Sequence, residues 1–213
     1  MVLLQTLSLA TVLISASLAQ TPPGVSPSAS ANLGVTYPHN VVVSPPGVLL
    51  PQNEVATQPT IFAQPGASPT SSYILFMLDI DTILNSTATN VLHWFEPNFT
   101  MHSSSRSREL FNSSDVDVAS YIAPAPLPGP AHRYVFTLFE RPEHFVFPAC
   151  YDSIFPPTAA ARVGFNLSEF VSVARLGSPV AGNYFRVQND TTTAPPVVTA
   201  TSLSSAACSP TRA

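Results

Sequence analysis

Pro124-Ala125-Pro126-Leu127-Pro128-Gly129-Pro130-Ala131-His132-Arg133-Tyr134-Val135-Phe136 is the stretch on which the fold turns. Each proline fixes φ and removes a backbone donor, so the run ahead of His132 is an irregular, pre-shaped loop. After it the chain alternates. Tyr134, Phe136 and Leu138 share one face of a strand, and Val135, Thr137 and Phe139 share the other. A stiff loop therefore delivers a histidine and an arginine to the mouth of a buried strand. His132 falls on the Tyr134 face, and its delivery there suggests a small polar site on an apolar wall. Arg133 points the opposite way and is read as a structural arginine holding the sheet and its loops. The plainer alternative is that both residues only cap the strand.

Outward from this stretch the pattern is mainly β. Tyr73-Ile74-Leu75-Phe76-Met77-Leu78 is an unbroken apolar run of strand length, the signature of a central strand buried on both faces. It ends in Asp79-Ile80-Asp81. Val91 to Phe95 is the next strand and holds His93 beside the only tryptophan. Earlier, Leu33, Val35 and Tyr37 alternate, and the turn Pro45-Pro46-Gly47 separates Val41–Val43 from Val48–Leu50. Met101 to Ser120 is rich in Ser, Arg and Asp and reads as an exposed insertion. Gly164 to Gly177 carries the one helix, with Asn166 as N-cap, Phe165 and Phe170 as a hydrophobic staple, and Gly177 at C′. A last strand runs from Asn183 to Gln188.

The chain has 213 residues, 45% hydrophobic and 9% charged, with 23 prolines, which favours β-structure joined by stiff loops. Net charge is −4 and all eight basic residues are arginines, so no basic cluster suits nucleic acid or a polybasic membrane contact. Residues 1–19 read as a secretory signal peptide, apolar from Leu3 to Leu18, with Ser17-Leu18-Ala19 as a small-x-small cleavage site before Gln20. The apolar stretch is too short and too interrupted for a transmembrane segment. Residues 20–31 read as a flexible Pro/Ser arm, 32–189 as the folded domain, and 190–213 as a disordered Ser/Thr/Pro-rich tail. Five N-x-Ser/Thr sequons, at Asn85, Asn98, Asn112, Asn166 and Asn189, agree with an extracellular, secreted glycoprotein, expected as a monomer. In that compartment Cys150 and Cys208 either pair, tying the tail to the body, or stay as two separate thiols.

Taken in order, Asp79-Ile80-Asp81, Leu92-His93-Trp94, Gly129…His132-Arg133-Tyr134-Val135-Phe136, Arg162…Phe165-Asn166-Leu167 and Pro179-Val180-Ala181-Gly182-Asn183-Tyr184-Phe185 resemble the phosphatidylethanolamine-binding protein family. The resemblance spans residues 32 to 189. It implies a large antiparallel sheet packed with a smaller sheet through Greek-key connections, a few peripheral helices, and a small anion pocket without a cofactor. It places Asp79, His93, His132 and Tyr134 at the pocket, Ala125 and Pro126 in its wall, and Phe185 where many members have a tyrosine. It also implies binding rather than catalysis. The sequence departs from the family at Ile80 and Ile83, which replace prolines, at Val91, which replaces a common aromatic, and at Phe185, which lacks a hydroxyl. A hydrogen bond lost to a charged group is worth about 1.5–3 kcal/mol, so these changes weaken phosphate binding while sparing the fold.

The chemistry is coherent without the resemblance. Two histidines titrating near neutrality can donate to a phosphate oxygen, and a carboxylate beside one of them raises its pKa or takes an ethanolamine ammonium. The same trio suits a metal, but no close-spaced pair such as His-x-x-x-His supports one. A serine hydrolase lacks its Gly-x-Ser-x-Gly elbow here. Three readings follow. The first is a secreted glycoprotein binding a small phosphorylated or anionic ligand such as a phospholipid head group. The second is an inhibitor of an extracellular serine carboxypeptidase or other peptidase, acting through the 20–31 arm. The third is a structural or matrix glycoprotein with a vestigial pocket.

Overall fold

The apolar run beginning at Tyr73 lies in β5 (Ser72–Leu84), which forms an antiparallel hairpin with β6 (Thr87–Met101) in this computed structural model. The structure describes residues 20–84, 86–101, 108–112, 118–156 and 158–191. The leader, Asn85, Cys208 and nearly all of the tail therefore lie outside the described residues. β5 is buried on both faces, as its composition requires. Tyr73, Leu75 and Met77 join one apolar cluster, and Ile74, Phe76 and Leu78 join another. On its other side β5 pairs antiparallel with β8 (His132–Glu140), which pairs in turn with β9 (Ala181–Val187).

The remaining strands are short: β1 (Gly34–Tyr37), β2 (Val41–Val42), β3 (Val48–Leu49), β4 (Thr60–Phe62) and β7 (Glu109–Asn112). The hydrogen-bonded order is β2-β1-β4-β7-β6-β5-β8-β9-β3, nine strands. The mainly β, largely antiparallel architecture is as expected. The strands expected to form a smaller sheet are joined to the large one through β7. That strand lies within the segment from Met101 to Ser120, which was expected to be an exposed loop. Leu110 is its buried residue and packs into the first cluster, so a single apolar side chain anchors the strand in an otherwise polar stretch.

The sheet curls until its far end returns to β9. Asn32 bridges Gly182, the Leu33 amide donates to the Gly182 carbonyl at 2.9 Å, and the Gly182 amide donates to Ala31 at 2.9 Å. The fully buried Asn183 locks this closure. Its Nδ2 donates to the carbonyls of Leu33 (2.8 Å) and Val43 (3.0 Å), and its Oδ1 accepts the Tyr184 amide. A Cβ at position 182 would stand 2.8 Å from Thr21 Cγ2 and 2.9 Å from Ala29 Cβ, so only glycine admits the chain that crosses there.

That crossing corrects the expectation of a flexible arm. The Gln20 amide donates to Ala29 (3.0 Å), the Ala29 amide donates to Thr21 Oγ1 (3.2 Å), and Ser168 Oγ donates to Ser26 (2.8 Å). Thr21 is 1% exposed. The small residues that look featureless in sequence are what lets this segment lie flat against β9.

The outer cluster is covered by a 3₁₀ turn at Ala149–Ile154 and by α1 (Leu167–Val173). As anticipated, Asn166 Oδ1 accepts the Glu169 amide (3.1 Å), and the Phe165 and Phe170 rings lie 5.7 Å apart. The helix ends earlier than Gly177. Arg175 holds the left-handed position (φ 54), with the Leu176 amide on Val171 and the Arg175 amide on Ser172, a Schellman motif built on an arginine. Cys150 is disulfide-bonded.

Two substitutions test this account by chemical denaturation. Asn183→Ala strands two buried carbonyls and should cost about 3 kcal/mol or more. Arg175→Gly relieves a left-handed L-residue and should stabilise by about 1 kcal/mol.

Candidate functional site

Two irregularities in the β5–β6 ladder build the site. Met77 pairs with Trp94 and Leu78 with Leu92, so His93 is the extra residue of a β-bulge. The bulge turns His93 to the same side as Trp94, where its ring meets Tyr134 edge-on at 5.1 Å. Further along, Asp79 pairs with Val91 and Thr82 with Thr89, which leaves Ile80 and Asp81 facing a single residue. Across the β5–β8 ladder Asp79 pairs with Tyr134, two residues beyond His132 on the same face.

Asp79 is committed on both oxygens. Oδ1 accepts the Asp81 amide at 2.8 Å, and Oδ2 meets His132 Nδ1 at 2.8 Å. Burial alone would lower the His132 pKa, but the hydrogen bond and charge of Asp79 outweigh it and hold the imidazole above its ordinary value. His93 goes the other way. Burial pushes it below its ordinary value, against the hydrogen bond to the Ile122 carbonyl and the charge of Asp79, which favour the cation. His93 Nδ1 lies 2.8 Å from that carbonyl, so Nδ1 carries the proton and Nε2 is left as the acceptor nitrogen. One imidazole is thus biased toward the cation and the other toward the neutral form, within reach of each other's charge.

The sequence-predicted residues are brought together unequally. Asp79, His93, His132 and Tyr134 converge. Tyr134 is fully buried, and burial together with the charge and hydrogen bonding of nearby Asp79 keeps the phenol well above its usual range. Phe185 is 0% exposed, stacked on Tyr134 at 5.4 Å and on Phe136 at 5.9 Å, with Tyr37 edge-on at 5.6 Å. It is the floor beneath the site and does not reach its surface. In the Pro-rich loop Ala125 is exposed and Pro126 buried. The loop is fixed at one end by the mutual bonds of Ile122 and His93, and further along by Asn189 Nδ2 on the Pro126 carbonyl (2.9 Å).

Arg133 is structural, as its strand parity indicated. Its Nε and Nη2 grip Asp81 at 2.8 and 2.6 Å, and its amide takes Asp81 Oδ2 at 2.8 Å. Burial tends to raise the Asp81 carboxyl, and these three bonds lower it instead. Arg162 was not singled out as a site residue. It is fully buried under His93, with Nε on Ile154 (2.7 Å) and Nη1 on the carbonyls of Ser120 (2.6 Å) and His93 (3.4 Å). Burial pushes its pKa down to about 10. It fixes the bulge and the approach to the Pro-rich loop in one stroke. The sole sequence signal was its place ahead of Phe165-Asn166.

Of the sequons, Asn98 is half-buried, Asn166 is exposed but serves as the N-cap, and Asn189 accepts from the Thr191 amide and hydroxyl at 3.0 and 2.7 Å. Among the described residues no group of three or more His, Cys, Asp or Glu could hold a metal ion.

The curled sheet thus brings a His–Asp pair, a second histidine and a buried tyrosine together. The family model described as phosphatidylethanolamine-binding protein matches residues 42–185, and this chain belongs to that family. It is 38% identical over 176 residues to phomoidride biosynthesis cluster protein N of Talaromyces stipitatus, covering 78% of this chain and 88% of that protein. It is 31% identical over 169 residues to a 26 kDa secreted antigen of Toxocara canis, covering 78% of this chain and 60% of the antigen. Among solved structures it superposes on a carboxypeptidase Y inhibitor complexed with its cognate proteinase, with a TM-score of 0.56 and 21% identity, over 76% of this chain and 85% of that one. At that identity the likeness is one of fold.

The His132–Asp79 pair has a defined pH signature. A histidine pKa raised in the fold contributes stability that is fully present below its unfolded value of about 6.5 and fades as pH rises through the raised value. Asp79→Asn should therefore destabilise the protein more at pH 5 than at pH 8.5, and should lower the His132 pKa read from its imidazole resonances. Asp81 gives the opposite trend, its contribution being lost as pH falls through its lowered value.

Proposed function

We propose that the site binds a small anion bearing a phosphate, of the kind carried by a phospholipid head group, and does so without catalysis as part of a secreted glycoprotein. The observation that carries this reading is the 2.8 Å Asp79–His132 pair standing beside His93, whose ring meets Tyr134 edge-on. Asp79 spends both oxygens inside the protein, so its charge holds His132 protonated rather than facing a ligand. A cationic His132 offers Nε2–H to an anionic oxygen. His93 offers an acceptor Nε2, which suits the hydroxyl of a singly protonated phosphate; binding of a dianion would instead be coupled to uptake of a proton from solvent by His93. Either route satisfies both histidines at once. The absence of a hydroxyl at Phe185 matters little to this geometry, because that ring lies beneath the site.

The test is a titration of the secreted protein with phosphoethanolamine and inorganic phosphate, followed by histidine chemical shifts. Saturable shifts at His93 and His132 are expected, abolished in His132→Ala and weakened as pH rises through the His132 pKa. A response at neither imidazole, with the fold intact, removes this reading. Loss on passing to inorganic phosphate alone would indicate that the ethanolamine end is also recognised.

A second reading, inhibition of an extracellular peptidase, is supported by the fold shared with the carboxypeptidase Y inhibitor. In this chain the 20–31 segment is docked on Gly182 and Ser168, so a peptidase would have to release it or use another surface. Inhibition of a secreted serine carboxypeptidase by the full chain, lost on deleting residues 20–31, would favour it.

A further inference from the structure

We infer that the mature chain begins with a pyroglutamyl residue at position 20 and that residues 20–213 then hold no primary amine. The inference rests on the secretion reading, in which cleavage after Ser17-Leu18-Ala19 leaves Gln20 as the first residue. A free N-terminal glutamine has an internal reaction open to it. The unprotonated α-nitrogen attacks the side-chain amide carbon Cδ, a five-membered lactam closes, the Cδ–Nε2 bond breaks, and ammonia leaves. Atoms balance without an oxidant or co-reactant.

The fold favours the product. The chain is already packed at its first described residues: Thr21 is 1% exposed, Pro22 is buried, and Gln20 is half-buried. The Gln20 nitrogen lies 3.0 Å from the Ala29 carbonyl, and the Ala29 amide closes the same loop on Thr21 Oγ1. An ammonium at this place would hold a full charge in a partly desolvated corner, with Ala29 as the backbone acceptor in place. Desolvation disfavours that cation and leaves more of the nucleophilic free base. The lactam nitrogen keeps one N–H, which the Ala29 carbonyl accepts, and it has no charge to solvate. Cyclisation therefore retains the hydrogen bond that closes the loop and removes the group that strains it.

The second half of the statement comes from composition. All eight basic side chains are arginines, at positions 106, 108, 133, 141, 162, 175, 186 and 212, and the sequence has no lysine. Within residues 20–213 the α-amine is then the one primary amine, and the lactam consumes it. Such a chain is inert to acylating and aldehyde reagents that act on amines, and an aminopeptidase finds no free terminus.

The experiment uses the full-length secreted protein, examined by mass spectrometry of its N-terminal peptide and by reaction with an amine-selective succinimidyl ester. The expected result is a peptide starting at residue 20, lighter than its encoded mass by one ammonia, with essentially no label taken up. Gln20→Ser, which cannot form the lactam, should take up label at its terminus. A wild-type peptide that starts at Gln20 with intact amide and labelled amine overturns the inference and leaves secretion standing. A chain cleaved at another residue overturns the inference and leaves secretion standing, and a chain that still begins at Met1 overturns the inference together with the cleaved leader. Should the variant fail to be secreted, the wild-type mass and labelling decide alone.

Discussion

One buried amide closes this fold. A sheet of nine strands running from β2 to β3 meets itself along the main chain at the short Asn32–Gly182 bridge, and a side chain reinforces that meeting of its two ends. Asn183 joins them, reaching from β9 to the carbonyls of Leu33 and Val43 at the opposite end of the strand order. Each buried carbonyl left unmade would cost its full desolvation, so the position tolerates little else. The consequences spread along β9. Two residues on, Phe185 is pressed between Tyr37 and Tyr134, and Tyr134 sets the face against which His93 stands. The site is thus an extension of the closure: the amide fixes β9, β9 fixes the aromatic floor, and the floor orients the imidazole.

Around that floor, charges are sorted rather than pooled. Asp79 serves His132, Asp81 serves Arg133, and Arg162 serves three backbone carbonyls with no carboxylate salt bridge among the described residues. Each of these carboxylates is turned inward, Asp79 onto His132 and Asp81 onto Arg133. The two histidines are driven apart by different causes, hydrogen bonding and charge for one and desolvation for the other. That separation gives a site with a donor and an acceptor at the same pH, which a pair of equivalent imidazoles would not provide.

Much of this was legible in the residue pattern, because strand parity is a strict rule. Parity alone separated His132 from Arg133, and the two-sided apolar run at Tyr73–Leu78 identified the strand buried on both faces. The helix start was readable from Asn166, Phe165 and Phe170. Other features depended on long-range geometry. The bulge that re-aims His93 arises from the register between two strands, which no local pattern encodes. Ile122 acts through its carbonyl, and a carbonyl is the same in every residue. Phe185 was placed at the pocket by likeness, and the stacking on Tyr134 puts it underneath. The 20–31 segment was misread because small and proline-rich residues are common to loose linkers and to chain that must squeeze against a glycine.

The docked N-terminal segment also sets an order of events. Thr21 and Ala29 are among the first residues of the body to be made, yet their seat at Gly182 belongs to the last strand. Nothing upstream of β9 can offer them that seat, and β1 lacks the Asn183 tie until the same strand arrives. Fold closure is therefore a late, long-range event in which the two ends of the domain find each other after nearly all of it has been synthesised. High sequence separation of this kind slows folding and prolongs the exposure of half-built sheet edges. The five N-x-Ser/Thr triplets lie in the interval that must wait, or at its end, where the polypeptide is still an open sheet.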